Sequence, residues 1–238
     1  MISSPSIIPF ASTGSPPFSP DTLPSFHSTC IPKLARVAGK IFQDSGETVL
    51  ASANNDPISV LRCTFSNFKH SVHSGSSPPS LKTDGADRWW MDSDALNRLF
   101  DGAFVGGVPY TIIIRYARGR PGDCGRCFSS SSTNWLLGTW TTEATDMFDG
   151  SFHSSNVNND SLADFTMSLT KDASTGKIYV NGVDVTASNV AGTNPSQIIM
   201  FGAGGGEYFY GKFYGSIITN SKLSDADRIN AENYLSAF

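Results

Sequence analysis

Alternation between apolar and polar positions, with little helical periodicity, organises this chain. In DFTMSLT (164–170), Phe165, Met167 and Leu169 fall on one side and Thr166, Ser168 and Thr170 on the other. That period of two marks a strand with one apolar face. NWLLGTW (134–140) sets Trp135, Leu137 and Thr139 against Leu136, Gly138 and Trp140 in the same way. PYTIIIRYARG (109–119) carries an unbroken β-branched run, which predicts a strand buried on both faces. KIYVNGVDV (177–185), SQIIMFGAG (196–204) and KFYGSIITN (212–220) continue the series. Asn181-Gly182 lies between alternating residues and predicts a type I′ hairpin, whose central positions both need positive φ. Short strands at close spacing, separated by Gly, Asn, Asp and Ser, predict an all-β sandwich or barrel.

Helix signals are few. SDALNRLF (93–100) predicts about two turns, capped by Asp92 or Ser93. The C-terminal LSDADRINAENYLSAF predicts a helix with Ser224 as N-cap, Asp225 and Asp227 in its first turn, and Ala226, Ile229 and Leu235 docking it on the domain. Residues 1–32 are rich in Ser and Pro, which disfavours helix and predicts an extended or irregular arm. That arm is studded with Ile7, Ile8, Phe10, Phe18, Leu23 and Phe26, more apolar anchors than a plain linker carries. They predict docking onto a partner or onto the chain's own domain. The organisation read from sequence is therefore an arm over 1–32 and a β-domain over 33–238.

Composition removes several function classes. The 238 residues carry a formal charge of -4, and only 16% are charged, with signs mixed along the chain. No basic stripe marks a nucleic-acid footprint, and no apolar run is long enough to span a bilayer. The start, MISSPSIIPF, lacks the charged and apolar regions of a standard secretory signal. Exposure outside a cell would then follow from assembly into a particle or from lysis.

Catalytic patterns are also missing. Paired carboxylates on a strand, as in ExDxE, would serve glycoside hydrolysis, but Glu47, Glu143, Glu207 and Glu232 each stand in a different context. Glu143, Asp146 and Asp149 in TTEATDMFDG are spaced for a helix or turn rather than a strand and read as a solvated loop. His27, His70, His73 and His153 have no recognisable nucleophile beside them in sequence, and the HxxH of His70 and His73 reads as a surface loop. Cys30, Cys63, Cys124 and Cys127 include one CxxC, in RPGDCGRCF, which reads as a plain or disulfide-closed loop with no second ligand pair for zinc. GAGGGEYFYG lacks the GKS or GKT of a phosphate loop.

One run of segments resembles a known family. GKIYVNG (176–182), a Gly-rich turn and KFYGSIITNSKLSDADRINAENYLSAF (212–238) are similar to the closing half of laminin-G-like, concanavalin A-like domains. FQDSGETVLASANNDPISVLRC (42–63), PSLKTDGADRWWMDSDALNRLF (79–100) and PYTIIIRYA are similar to the opening half. STCIPKLARV and CTFSNFKHSVH depart from the pattern, standing where a Trp-containing strand and a polar turn are expected. The resemblance implies a two-sheet antiparallel jelly roll, of a type common in phage and other virion proteins and in bacterial surface proteins.

It also implies two kinds of site. Calcium at the sandwich rim would fall to Asp84 and Asp87, to Asp146 and Asp149, or to Asn158, Asn159 and Asp160. A sugar would stack on Tyr208 or Tyr210, or on Trp89 or Trp90. The combined expectation is a non-enzymatic protein with no required cofactor. It would be a virion-associated decoration or adhesion protein held to capsid or other virion proteins by its arm, with glycans as possible ligands and a homo-oligomer as a possible state. The alternative is a free-standing lectin-like module.

Overall fold

A computed structural model describes residues 17–94, 98–102, 107–119, 125–140, 144–153, 162–202 and 207–238, with backbone only at 140 and 144–146. Its strands form two antiparallel sheets packed as a sandwich.

The first sheet is built around β8 (Tyr110–Arg118), which pairs with β12 (Phe165–Lys171) on one side and β16 (Tyr210–Thr219) on the other. Beyond β12 lie β13 (Gly176–Val180) and β14 (Val183–Asp184); beyond β16 lie β6 (Trp89–Asp94) and β5 (Ser80–Thr83). The second sheet runs β11 (Ala144–Phe148), β10 (Leu136–Trp140), β9 (Gly125–Ser130), β15 (Ile198–Met200), β7 (Phe100–Asp101), β4 (Lys69–Val72), β3 (Val60–Arg62) and β2 (Ile41–Phe42). The hairpin joining β13 to β14 turns at Asn181 (φ 48) and Gly182 (φ 83), the positive pair that a type I′ turn requires.

The core between the sheets takes alternate residues of each strand: Ile112, Ile114 and Tyr116 of β8, Phe165, Met167 and Leu169 of β12, and Leu137 and Met147 from the facing sheet. Ile113 of β8 points the other way. With Ile217 it joins a second apolar cluster that includes Leu223, Ala231 and Leu235 of the C-terminal segment. The C-terminal helix α2 (Asp225–Ser236) therefore packs on β8, β12 and β16. Ser224 caps it, its hydroxyl accepting from the Asp227 N–H at 3.1 Å.

Of the three residues expected to dock α2, Leu235 does so and the other two do not. Ala226 and Ile229 are exposed, while Arg228, Ala231, Glu232 and Leu235 are buried. Arg228 donates to Glu232 at 2.5 Å, its guanidinium lies 3.6 Å over the Tyr179 ring, and Glu232 accepts from Ser168 Oγ at 2.6 Å. A paired, hydrogen-bonded charge satisfies a buried position that simple apolar counting assigns to Ile229.

Two further expectations change. Ser93 and Asp94 extend strand β6 and Phe100 opens β7, so a helix over 93–100 does not form at either end; residues 95–97 lie outside the described residues. Ladder pairing with β16 and the Ser93 hydroxyl donating to Phe209 O at 2.7 Å outweigh the local helix signal.

The stretch assigned to the arm also contributes structure. Phe26–Cys30 forms β1, which pairs with β16, and a short helix α1 (Pro32–Val37) follows with Pro32 in its first turn. Phe18 and Phe26 pack against the α2-side cluster, Phe18 with its ring centroid 5.6 Å from that of Tyr234. Ile7, Ile8 and Phe10 lie outside the described residues.

Cys30, Cys63 and Cys127 are buried free thiols, and Cys127 sits in strand β9, not in a loop; Cys124 lies outside the described residues. Burial pushes the Cys30 and Cys127 thiols up, so they behave as small apolar side chains. His70 is likewise no surface residue. Strand β4 turns it inward, between Phe68 and Phe100, while His73 just past the strand meets Asp101 at 2.8 Å.

Burial, with nearby His27 acting in the same direction, lowers the His70 pKa from 6.5 to about 3. The folded chain thus holds His70 neutral where the unfolded chain protonates it, and its stabilisation is complete above pH 6.5 and lost as pH falls towards 3. Between pH 6.5 and 4 this single group makes stability fall by ~1.4 kcal/mol per pH unit. Carboxylates such as Asp172, held below the usual range by Lys222, act only at lower pH. Urea titrations of His70→Phe should show that slope removed in this window; an unchanged slope would assign the acid sensitivity elsewhere.

Candidate ligand cleft

Three arrangements of functional side chains stand out, and their geometry differs in kind. The most connected is a buried polar network around Asp149, which is 1% exposed and so not the solvated turn residue its sequence suggests. His153 Nε2 lies 2.7 Å from Asp149 Oδ1, and His153 Nδ1 lies 2.7 Å from the hydroxyl of exposed Ser188. Lys171 donates to Asp149 Oδ2 at 3.2 Å and to Gly192 O at 2.8 Å, and Gly192 N–H donates to the same carboxylate oxygen at 2.7 Å.

Serine, histidine and aspartate here stand in the order of nucleophile, base and orienting acid. The carboxylate, however, is already matched by the buried Lys171 ammonium. That ammonium also occupies the space between a carboxylate and a carbonyl that a hard cation would use. The network closes the turn after β11 onto the end of β12 and the loop before β15. We expect Asp149→Ala to cost about 3–5 kcal/mol, because it leaves Lys171 buried without its counter-charge, and Ser188→Ala to cost under ~0.5 kcal/mol. Equal costs in chemical denaturation would refute a structural role.

The other rim carboxylates are engaged separately. Asp84 accepts from the Ala86 N–H at 2.9 Å, and Asp87 pairs with Lys33 at 2.6 Å. Among the described residues no three His, Cys, Asp or Glu side chains gather as a metal site. Asp146 has no described side chain, and Asn158, Asn159 and Asp160 lie outside the described residues.

The second arrangement is an open groove of about 500 Å3 between the Asn181-Gly182 turn and α2, with aliphatic Val183 and Ile229 on its walls. Its central polar groups are committed inward. Asn181 Oδ1 accepts from the Thr166 N–H at 2.9 Å, and Glu232 serves Arg228 and Ser168.

The third is a cleft of about 190 Å3 at the β9–β10–β11 end of the second sheet, lined by Arg126, Asn134, Leu136, Phe148, Phe152 and Glu207. Sheet register builds it. Leu136 and Phe148 oppose one another across β10 and β11, one residue from Leu137 and Met147, which fill the core, so the pair points away from that core, Leu136 already covered and Phe148 half-buried. The DGS turn after Phe148 brings Phe152 back beside it in an isolated bridge, with ring centroids 4.9 Å apart and edge-on. Phe152 keeps 49% of its surface exposed, an unusual state for phenylalanine.

The rest of the lining is polar. Arg126 ion-pairs with Glu207 through Nε, donates to Trp135 O at 3.1 Å and donates to Asn134 Oδ1 at 2.9 Å. Glu207 arrives there because Arg126 and Tyr208 pair in a parallel bridge. An apolar ring and hydrogen-bonding groups lining one small cleft are suited to a ligand with both apolar and hydroxylated surface.

The sequence candidates for stacking are not brought together. Trp89 packs against the core with Arg36 4.0 Å over its ring, and Trp90 lies on the opposite face with Tyr214, Lys212 4.7 Å above it. Half-buried Tyr210 covers Gly119, and half-buried Tyr208 lies against Gly202. The cleft residues Phe148 and Phe152 were legible only as two aromatics flanking an Asp-Gly turn, in a stretch whose carboxylates draw the eye first.

No protein-family model matches the chain, and no curated protein matches it. Solved structures do. The binding domain of Paraclostridial Mosquitocidal Protein 1 aligns with a TM-score of 0.55 at 12% identity, covering 74% of this chain and 49% of that one. The binding domain of Botulinum neurotoxin DC in complex with rat synaptotagmin II aligns at 0.55 and 11%, covering 89% and 52%. Domain 4 of AbnA, an extracellular arabinanase from Geobacillus stearothermophilus, in complex with arabinotriose, aligns at 0.54 and 10%, covering 71% and 91%. The chain thus spans about half the length of the toxin domains and most of the arabinanase domain. Identities this low establish the β-sandwich class, which the chain shares with these domains. No described helix is long and apolar enough to cross a membrane.

Proposed function

We propose that the chain is a non-catalytic carbohydrate-binding sandwich of the concanavalin A-like, laminin-G-like kind, displayed on a surface and gripping a sugar in the Phe148–Phe152 cleft. The observation that carries this is the half-exposed Phe152 ring set against Arg126, Asn134 and Glu207. Fold neighbours agree in kind: one domain is held in complex with arabinotriose, and cell entry of botulinum neurotoxin type C depends on interaction with two ganglioside molecules. Glycoside hydrolysis needs two carboxyl groups about 5–9.5 Å apart, and among the described residues the cleft lining supplies one, Glu207. Phe152→Ala should weaken binding on a glycan array about tenfold or more, equal to ~1.4 kcal/mol, with the circular dichroism spectrum unchanged. Binding untouched by that substitution would place the site elsewhere.

A virion or comparable particle is the setting we propose for this surface role, with the N-terminal segment as the tether. Phe18 and Phe26 are half-buried against the chain's own sandwich, which leaves Ile7, Ile8 and Phe10 for partner contact. Removal of residues 1–32 would take away β1 and Phe18, so the informative truncation stops at residue 16. Light scattering should then show the full chain self-associating or joining particles and the truncated chain remaining monomeric. Identical behaviour would remove the tether.

A further inference from the structure

Which sugars the cleft admits follows from how its charges are already used. Among the described residues Arg126 is the one cation in the lining, and its side chain is 11% exposed. Nε meets the Glu207 carboxylate, one terminal nitrogen donates to Trp135 O at 3.1 Å, and the other donates to Asn134 Oδ1 at 2.9 Å. A guanidinium binds an incoming carboxylate through two parallel N–H donors. Here the fork is turned inward to the protein's own groups.

Glu207, by contrast, is 33% exposed at the cleft. It offers lone pairs to sugar hydroxyls, and at contact distance it repels a ligand carboxylate or sulfate. Asn134 spends its carbonyl oxygen on Arg126 and presents its amide nitrogen for a hydroxyl oxygen. The remaining wall is hydrocarbon from Leu136, Phe148 and Phe152. At about 190 Å3 the cleft is below the ~300 Å3 at which pockets for drug-sized ligands begin, which suits a single ring.

We infer that the cleft selects one uncharged sugar ring, held by Phe152 on its apolar side and by Glu207 and Asn134 on its hydroxyls, and rejects sialic acids and uronates. This rests on the carbohydrate-binding reading above. The test compares neutral and acidic oligosaccharides on an array with the full chain, followed by titration of lactose against 3′-sialyllactose and of any neutral hit against its uronate counterpart. We expect at least tenfold preference for the neutral member of each pair whose ring occupies the cleft, lost in Phe152→Ala. In Glu207→Gln, which releases Arg126 and removes the repelling charge, acidic glycans should gain at least tenfold.

Acidic glycans bound by the wild type and lost in Phe152→Ala would overturn the charge selection while leaving the carbohydrate reading intact. A failure of Glu207→Gln, folded by circular dichroism, to gain acidic ligands would overturn it as well. No binding of either kind, or binding indifferent to Phe152→Ala, would bring down both the selection and the site.

Discussion

The isoleucine run of β8 is the constraint on which the rest of the structure depends. Ile112 and Ile114 face the second sheet, and Ile113 faces the opposite way into the cluster with Ile217. A strand apolar on both sides must be covered on both sides, and each buried side chain of this size contributes ~1.5–3 kcal/mol. One sheet can cover only one face. The other is covered by α2 together with Leu23, Phe18 and Phe26 from the N-terminal side. The ends of the chain are therefore structural parts of the sandwich. This is why β1 is drawn into the first sheet, and why the aromatic residues of the Ser/Pro-rich stretch pack at home.

The cover also decides where binding can occur. α2 packs on β8, β12 and β16, and Arg228, Glu232 and Ser168 tie it down across that face. On the second sheet, outward residues at the β9–β11 end meet a loop instead of a helix. Leu136 is covered there and Phe148 half-covered, and the turn carrying Phe152 lies beside Phe148. The Asp149 network fixes that turn: His153 and Asp149 flank Phe152's position in the chain and are locked to Lys171, Ser188 and Gly192. A buried network of this kind gives an exposed ring a defined orientation, as a stacking platform requires.

Strand identity was legible because side-chain alternation is a local property. Phe165, Met167 and Leu169 can be read off without knowing what they touch, and so can the Asn181-Gly182 turn and the Ser224 cap. Contacts between distant segments were not legible. Nothing near Ile229 says that Arg228 beside it and Glu232 one turn on will be buried as a pair over Tyr179 and Ser168. Ser93 and Asp94 look helical until β16 lies alongside them. The cleft is of the same sort: Arg126, Phe148 and Glu207 come from three separated stretches, joined only by register.

Aromatic content alone could not locate a sugar platform, because a ring serves only if one of its faces meets solvent. Trp89 and Trp90 are capped by Arg36 and Lys212, contacts that satisfy the rings and the cations together. Tyr210 and Tyr208 are spent as lids over Gly119 and Gly202, where a Cβ would collide with them. Their chain neighbour Glu207 lines the cleft instead. Phe152, with no hydroxyl or indole nitrogen to satisfy, stays about half exposed while its neighbour Phe148 supports it edge-on. Leaving a phenylalanine in water is unfavourable in the free protein, and a ligand that covers it recovers that free energy on binding. An exposed ring that is unfavourable for stability in the free protein is thus the feature on which the proposed recognition rests.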